Sequence, residues 1–128
     1  MDLVVAPLVL DYILNWHPLF AEFYRILCVG GCFIFSVEHP WTKFYLSGHE
    51  YYFETEYMEY PWTGFGERVV MPSYRRPLNA MLEPLDRAGF SLDRIIETLP
   101  SEECRRIDSE TYEQTLRKPS FLCVSAKR

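Results

Sequence analysis

Long apolar runs are missing from this 128-residue chain: the longest, Leu3 to Leu10, is eight residues and is interrupted by Pro7. A bilayer-spanning helix needs about 18 to 20 such residues, so no transmembrane helix is encoded and no membrane partner is expected. Positive charge is missing from the start of the chain, where Asp2 and Asp11 precede the first arginine, Arg25. That is the opposite of a secretory signal and predicts a cytosolic protein. Basic residues are outnumbered throughout, 13 Lys+Arg against 18 Asp+Glu, for a net charge of −5. The pairs Arg75-Arg76, Arg105-Arg106 and Lys127-Arg128 are scattered, which argues against a nucleic-acid partner.

Cysteine and histidine are sparse as well. Cys28, Cys32, Cys104 and Cys123 lack a secretory context and read as reduced thiols, mostly in the core. His17, His39 and His49 have neither helical i, i+4 pairing nor a cysteine at finger spacing, so no metal site is expected. Glycine is limited to six residues, and Gly64-Phe65-Gly66 is the one G-x-G, with Val69 where a third glycine belongs. The nucleotide-binding glycine loop, the Walker loop and the G-x-S-x-G elbow are all absent, which removes the backbone geometry of the corresponding chemistries.

What is present is an ordinary globular balance, 48% hydrophobic and 24% charged, in one domain spanning 1–128. A chain of this size buries roughly two-thirds of its unfolded surface. Asp2 to Ala6 is apolar, β-branched and without alternation, the pattern of a strand buried on both faces. From Pro18 to Leu27 the apolar residues Leu19, Phe20, Phe23, Ile26 and Leu27 share a helical face, and Gly30-Gly31 follows as a stop. Cys32 to Glu38 is a second buried strand, which completes a β-α-β unit. Pro77 to Ala88 predicts a helix carrying Pro84 inside it and stopped by Gly89. Leu92 to Thr98 predicts a strand, Asp108 the N-cap of a helix through Arg117, and Phe121 to Ala126 a last strand. Between His39 and Gly66, ten of 28 residues are aromatic, and this stretch reads as strand-like pieces and loops.

The segments Asp2-Leu-Val-Val-Ala-Pro-Leu-Val-Leu-Asp-Tyr12, Leu19-Phe-Ala-Glu-Phe-Tyr-Arg-Ile-Leu27 and Gly30-Gly-Cys-Phe-Ile-Phe-Ser-Val-Glu-His-Pro40 occur in that order. Together with Tyr74-Arg-Arg-Pro-Leu78, Ala88-Gly-Phe90 and the final strand, they resemble the C-terminal half of class I S-adenosylmethionine-dependent methyltransferases of the small-molecule, methyltransferase-11-like type. Cys28-Val29 departs from the Lys-Pro common before the two glycines. The resemblance implies a partial Rossmann-like, doubly wound α/β sheet with strands resembling 4-5-7-6, the last antiparallel, and an aromatic-rich, substrate-side insert over residues 39–75. It implies S-adenosylmethionine as cofactor and a small-molecule substrate. It also implies that the strand and glycine loop holding most of the cofactor lie outside this chain, which would then be inactive alone. An exposed apolar edge at Leu3-Val4-Val5 predicts pairing with an N-terminal half or a second copy.

The resemblance matches Ala6, Pro7 and Leu8 to the segment at the cofactor's methionine end. Glu38 and His39 end a central strand, where open α/β sheets bind ligands, and His39 is the candidate base with Glu38 beside it. Trp41, Tyr45, Tyr51, Tyr52, Tyr57, Tyr60 and Trp62 are candidates to wall a substrate pocket, and Tyr74 and Arg75 to hold an acidic group. Tyr12 reads as packing under the helix, and Arg76 as solvated. Two other readings compete: a non-catalytic association module, and a fragment of a nicotinamide-dependent oxidoreductase. The latter is disfavoured because the Gly-Gly turn follows a helix and leads into a strand.

Overall fold

The computed structural model describes residues 1–64 and 66–128; Phe65, the middle of the discounted G-x-G, lies outside them. β1 (Leu3–Pro7) and β2 (Cys32–Glu38) run parallel, joined through α1 (Trp16–Ile26). α1 starts two residues before the predicted Pro18, because Asn15 caps it: its Oδ1 accepts from the His17 N–H at 3.2 Å. The turn after α1 needs Gly30 at φ +81° and Gly31 close under the Cys28 carbonyl, where a Cβ would approach to 2.9 Å.

The aromatic stretch opens with a helix that the sequence reading missed, α2 (Pro40–Ser47). His39 is its N-cap, Pro40 its first residue and Gly48, at φ +69°, its stop. A hairpin follows, β3 (Glu56–Trp62) against β4 (Val69–Arg75), with Met58 opposite Ser73 and Tyr60 opposite Met71. Then come α3 (Leu78–Ala88), with Pro84 buried inside it, and β5 (Ser91–Glu97). Ser101 caps a short α4 (Glu102–Ile107), also missed, and Asp108 caps α5 (Ser109–Arg117) as predicted, accepting from the Thr111 N–H at 2.9 Å. β6 (Phe121–Lys127) closes the chain between β2 and β5 and is antiparallel to both. The order β1-β2-β6-β5 is therefore the 4-5-7-6 arrangement with its antiparallel last strand.

The core lies on one face of this sheet. Phe20 on α1 meets Phe33 at 5.0 Å and Phe35 at 5.8 Å between ring centroids, with Trp16 and Phe90 packed around them. Val37, Leu122 and Val124 continue the layer under Met81 and Leu85 of α3. The opposite face carries no packed helix among the described residues. That is why β1 is not buried on both faces as predicted: Ala6 is buried, but Leu3 and Val5 are about half exposed. β5, at the other edge of the sheet, is exposed along its whole length on both faces. No cysteine reaches the core either; Cys28 is exposed and the other three are half-buried, all as free thiols.

Candidate active-site cleft

β1 and β2 end side by side, Pro7 opposite Ser36, and the cleft opens beyond those carboxyl ends. The Leu8 N–H still donates to the Ser36 carbonyl at 2.9 Å, but Leu8 itself takes φ +49°, the one non-glycine residue in the left-handed region among those described. Such a conformation in a β-carbon-bearing residue is strained and concentrates at ligand-binding turns. It throws the chain into a 3-10 turn, Leu10–Tyr12, that sets Asp11 and Tyr12 at the cleft.

The cleft has two lobes that share Glu38 and Tyr60. One, of about 270 Å³, is lined by His39, Thr42, Lys43 and Met58. The other, of about 250 Å³, is lined by Leu8, Asp11, Tyr12, Trp62, Met71 and Phe121. α2 supplies Lys43 one turn after His39, and the hairpin supplies Met58, Tyr60, Trp62 and Met71 from the alternate positions that face the sheet.

A buried polar cluster joins these elements. The Lys43 ammonium lies 2.6 Å from Ser73 Oγ, 3.0 Å from Glu38 Oε2 and 3.4 Å from Asp11 Oδ2. Asp11 Oδ2 also accepts weakly from the Glu38 N–H, at 3.4 Å, while its buried Oδ1 has no partner. Burial raises the Asp11 carboxyl above the ordinary carboxylate value and Glu38 adds to this, against the opposing pull of Lys43. The Tyr60 phenol is pushed up to about 12, first by burial and then by Glu38, Tyr12 and Asp11. His39 is buried, its Nε2 2.9 Å from Glu97 Oε1 and its Nδ1 without a partner.

The predicted site residues divide accordingly. Glu38, His39, Leu8 and Trp62 line the cleft; Ala6 packs into the core and Pro7 sits exposed on β1. Trp41 is largely exposed, grouped with Phe44 and Tyr52 on the outside of α2. Tyr57 and Tyr74 stack across the outer face of the hairpin, with the Tyr57 hydroxyl donating to Glu59 Oε1 at 2.6 Å. Tyr51 is exposed and contributes its carbonyl to Arg75.

Arg75 is fully buried, and it donates to the carbonyls of Tyr51, Tyr52 and Glu54 and to the Glu56 carboxylate. It braces residues 51–56 and, with none of its surface exposed, is out of reach of an acidic substrate. Arg76 is likewise buried rather than solvated. Its guanidinium lies 4.0 Å from the Trp16 ring and donates to the Ile13 carbonyl at 2.8 Å and the Leu14 carbonyl at 3.2 Å. Burial lowers its pKa to about 10. Tyr12, read as packing, borders the second lobe. Asp11, Lys43 and Ser73 escaped the sequence reading; the available signal was the i, i+4 spacing of His39 and Lys43.

An open α/β sheet with a cleft at its carboxyl ends defines a ligand-binding Rossmann-like fold. Within that class the chain has the fold of part of an S-adenosylmethionine-dependent methyltransferase. It superposes over 99% of its length on a protein from Listeria monocytogenes assigned to that class, with TM-score 0.83 and 25% identity, and covers 61% of that chain. An S-adenosylmethionine-dependent methyltransferase from Mesorhizobium loti matches the full chain with TM-score 0.73 and 25% identity, 62% of that protein being covered. Geranyl diphosphate C-methyltransferase from Streptomyces coelicolor A3(2) shares the fold at 18% identity and TM-score 0.55, with 47% of its length covered. The chain thus spans about three fifths of the length of the first two. No protein-family model and no curated protein sequence matches it.

Proposed function

We propose that this chain carries the acceptor side of an S-adenosylmethionine-dependent methyltransferase acting on a small molecule, and that it does not turn over alone. The observation behind this is the two-lobed cleft: a strained Leu8 turn at the end of β1 on one side, and Glu38, His39 and the 39–75 insert on the other. S-adenosylmethionine, when bound, supplies a methyl group on a positively charged sulfur, which the acceptor's lone pair displaces.

Leu8, on the β1 side of the second lobe, and the backbone of Ala6 and Pro7 border the cofactor's methionine end. His39 acts on the acceptor's proton. In the tautomer this reading assigns, Nε2–H donates across the 2.9 Å contact to Glu97 and Nδ1 is the basic atom, while Glu38 fixes Lys43 beside it.

Calorimetry tests this reading. The isolated chain is expected to bind S-adenosylmethionine very weakly or not at all. A chimera joining it to the part of the Listeria protein that it does not cover is expected to bind. Micromolar binding by the isolated chain, or none by the chimera, overturns the proposal. In the chimera, His39→Ala is expected to lower kcat about a hundredfold or more, the usual size of a lost general base. Unchanged turnover removes His39 from that role.

The free edge of β1 and the uncovered sheet face favour a second reading. On that reading, the chain associates through this surface with another polypeptide segment or with a second copy, with or without catalysis.

A further inference from the structure

The cleft is rich in acceptors and poor in free donors, and that asymmetry selects a ligand. Lys43, the cation that lines it, is already taken: its ammonium donates to Ser73 Oγ and is paired with Glu38 and Asp11. Arg76 lines neither lobe and is held by backbone carbonyls and the Trp16 ring. An anionic ligand would therefore meet two carboxylates and no unengaged cation among the described side chains. On the acceptor side, Asp11 is buried to within 6% of its surface, lines the second lobe and keeps Oδ1 unpartnered. An unmet buried carboxylate oxygen carries a desolvation penalty that a ligand N–H relieves. Around it, Tyr12, Tyr60, Trp62 and Phe121 offer aromatic faces, the surroundings that attract an organic cation. A metal ion fits poorly, because the Lys43 ammonium already sits between the two carboxylates, and the described residues contain no group of three or more metal-type ligands.

We propose that the lobe between Asp11, Glu38 and the Tyr12-Tyr60-Trp62 wall binds a small organic amine in its ammonium form, its N–H bonded to Asp11 and its apolar part against the aromatic rings. The inference rests on the methyl-transfer reading in one respect, that the bound amine becomes the methyl acceptor once one N–H proton has passed to the Asp11 carboxylate and freed the nitrogen lone pair; the amine site itself stands on the cleft alone. Glu38 and Asp11, which add to burial in raising the Tyr60 phenol, are the same carboxylates that an ammonium would meet.

Benzylamine, benzyl alcohol and benzoate, close in shape and different in charge, make the test. Titrated calorimetrically into the full chain at neutral pH without cofactor, benzylamine is expected to bind about tenfold or more tightly than benzyl alcohol, the difference that a charge-assisted hydrogen bond commonly makes. Benzoate is expected to bind least. Asp11→Asn keeps the shape and is expected to erase the amine preference while leaving alcohol binding unchanged. Trp62→Leu, on the half-exposed hairpin, provides a second variant should Asp11→Asn fail to melt cooperatively, and is expected to weaken benzylamine several-fold.

Equal affinities for amine and alcohol, tightest binding of benzoate, no binding of any of the three, or an amine preference that survives both substitutions each overturn the proposal. The two failures separate cleanly. Amine binding with a chimera that does not bind S-adenosylmethionine leaves the amine site standing and removes methyl transfer; a chimera that binds S-adenosylmethionine while the chain ignores amines does the reverse.

Discussion

Tyr60 stands where the two lobes meet, and its phenol reports their charge. Its folded value of about 12 lies above the ordinary 10.0, so the stability it contributes is intact below pH 10 and is lost as pH rises through about 12. In a spectrophotometric titration of the nine tyrosines, one phenolate is expected to form last, near pH 12, and Tyr60→Phe to remove that step. A titration unaltered by the substitution would show that Tyr60 does not carry the raised phenol. The site was legible in the sequence where its residues adjoin a strand end: Leu8, Glu38 and His39 follow strands that the apolar pattern reveals. Asp11 and Lys43 were not, because their pairing crosses 32 positions and depends on a helix hidden in an aromatic stretch. Arg75 misled for a related reason: an arginine just before a helix reads as available to an acidic group until the carbonyls of Tyr51, Tyr52 and Glu54 are seen to surround it.

Elements with glycine stops and apolar periodicity were read correctly, and α3 shows why. Its C-terminal residue Gly89 takes φ +96°, donates to the Asp86 carbonyl at 3.0 Å, and lies so close to Tyr24 that a Cβ would stand 3.2 Å from the ring. Gly89→Ala is expected to cost about 1–2 kcal/mol from the left-handed backbone alone, with the Tyr24 contact adding to it. The check is a lower urea midpoint at unchanged slope; an unchanged midpoint would mean that the turn relaxes freely. The hairpin is where element-level reading failed. In β3 a one-residue choice decides everything, since Tyr57 and Tyr60 face opposite ways, and composition alone ranks them equally. Only the register, Tyr60 opposite Met71 and Tyr57 opposite Tyr74, separates a cleft residue from an outer one.

On the scale of the whole molecule, the sheet is packed on one side. Strand pairing lays out the other face in rows: Val5 beside Ile34 and Ser125, with Leu3 and Cys32 in the row before and Cys123 and Ile96 in the row after. Leu3, Val5 and Ile96 are 49%, 54% and 45% exposed, and beyond Val5 the outer edge of β1 is unpaired. An apolar face joined to a free strand edge drives association, because both the buried area and the strand's backbone hydrogen bonds are gained together. The Listeria and Mesorhizobium proteins each extend beyond the aligned region, which covers about three fifths of them. Sedimentation velocity over a concentration series is therefore expected to show the isolated chain self-associating. Val5→Lys and Ile34→Lys, which place charge in the middle row without touching the buried layer, are expected to shift it toward monomer while leaving the thermal midpoint nearly unchanged. A chain that stays monomeric across the series, or whose association ignores both lysines, would show that this face needs no cover and that the edge of β1 is not where a partner binds.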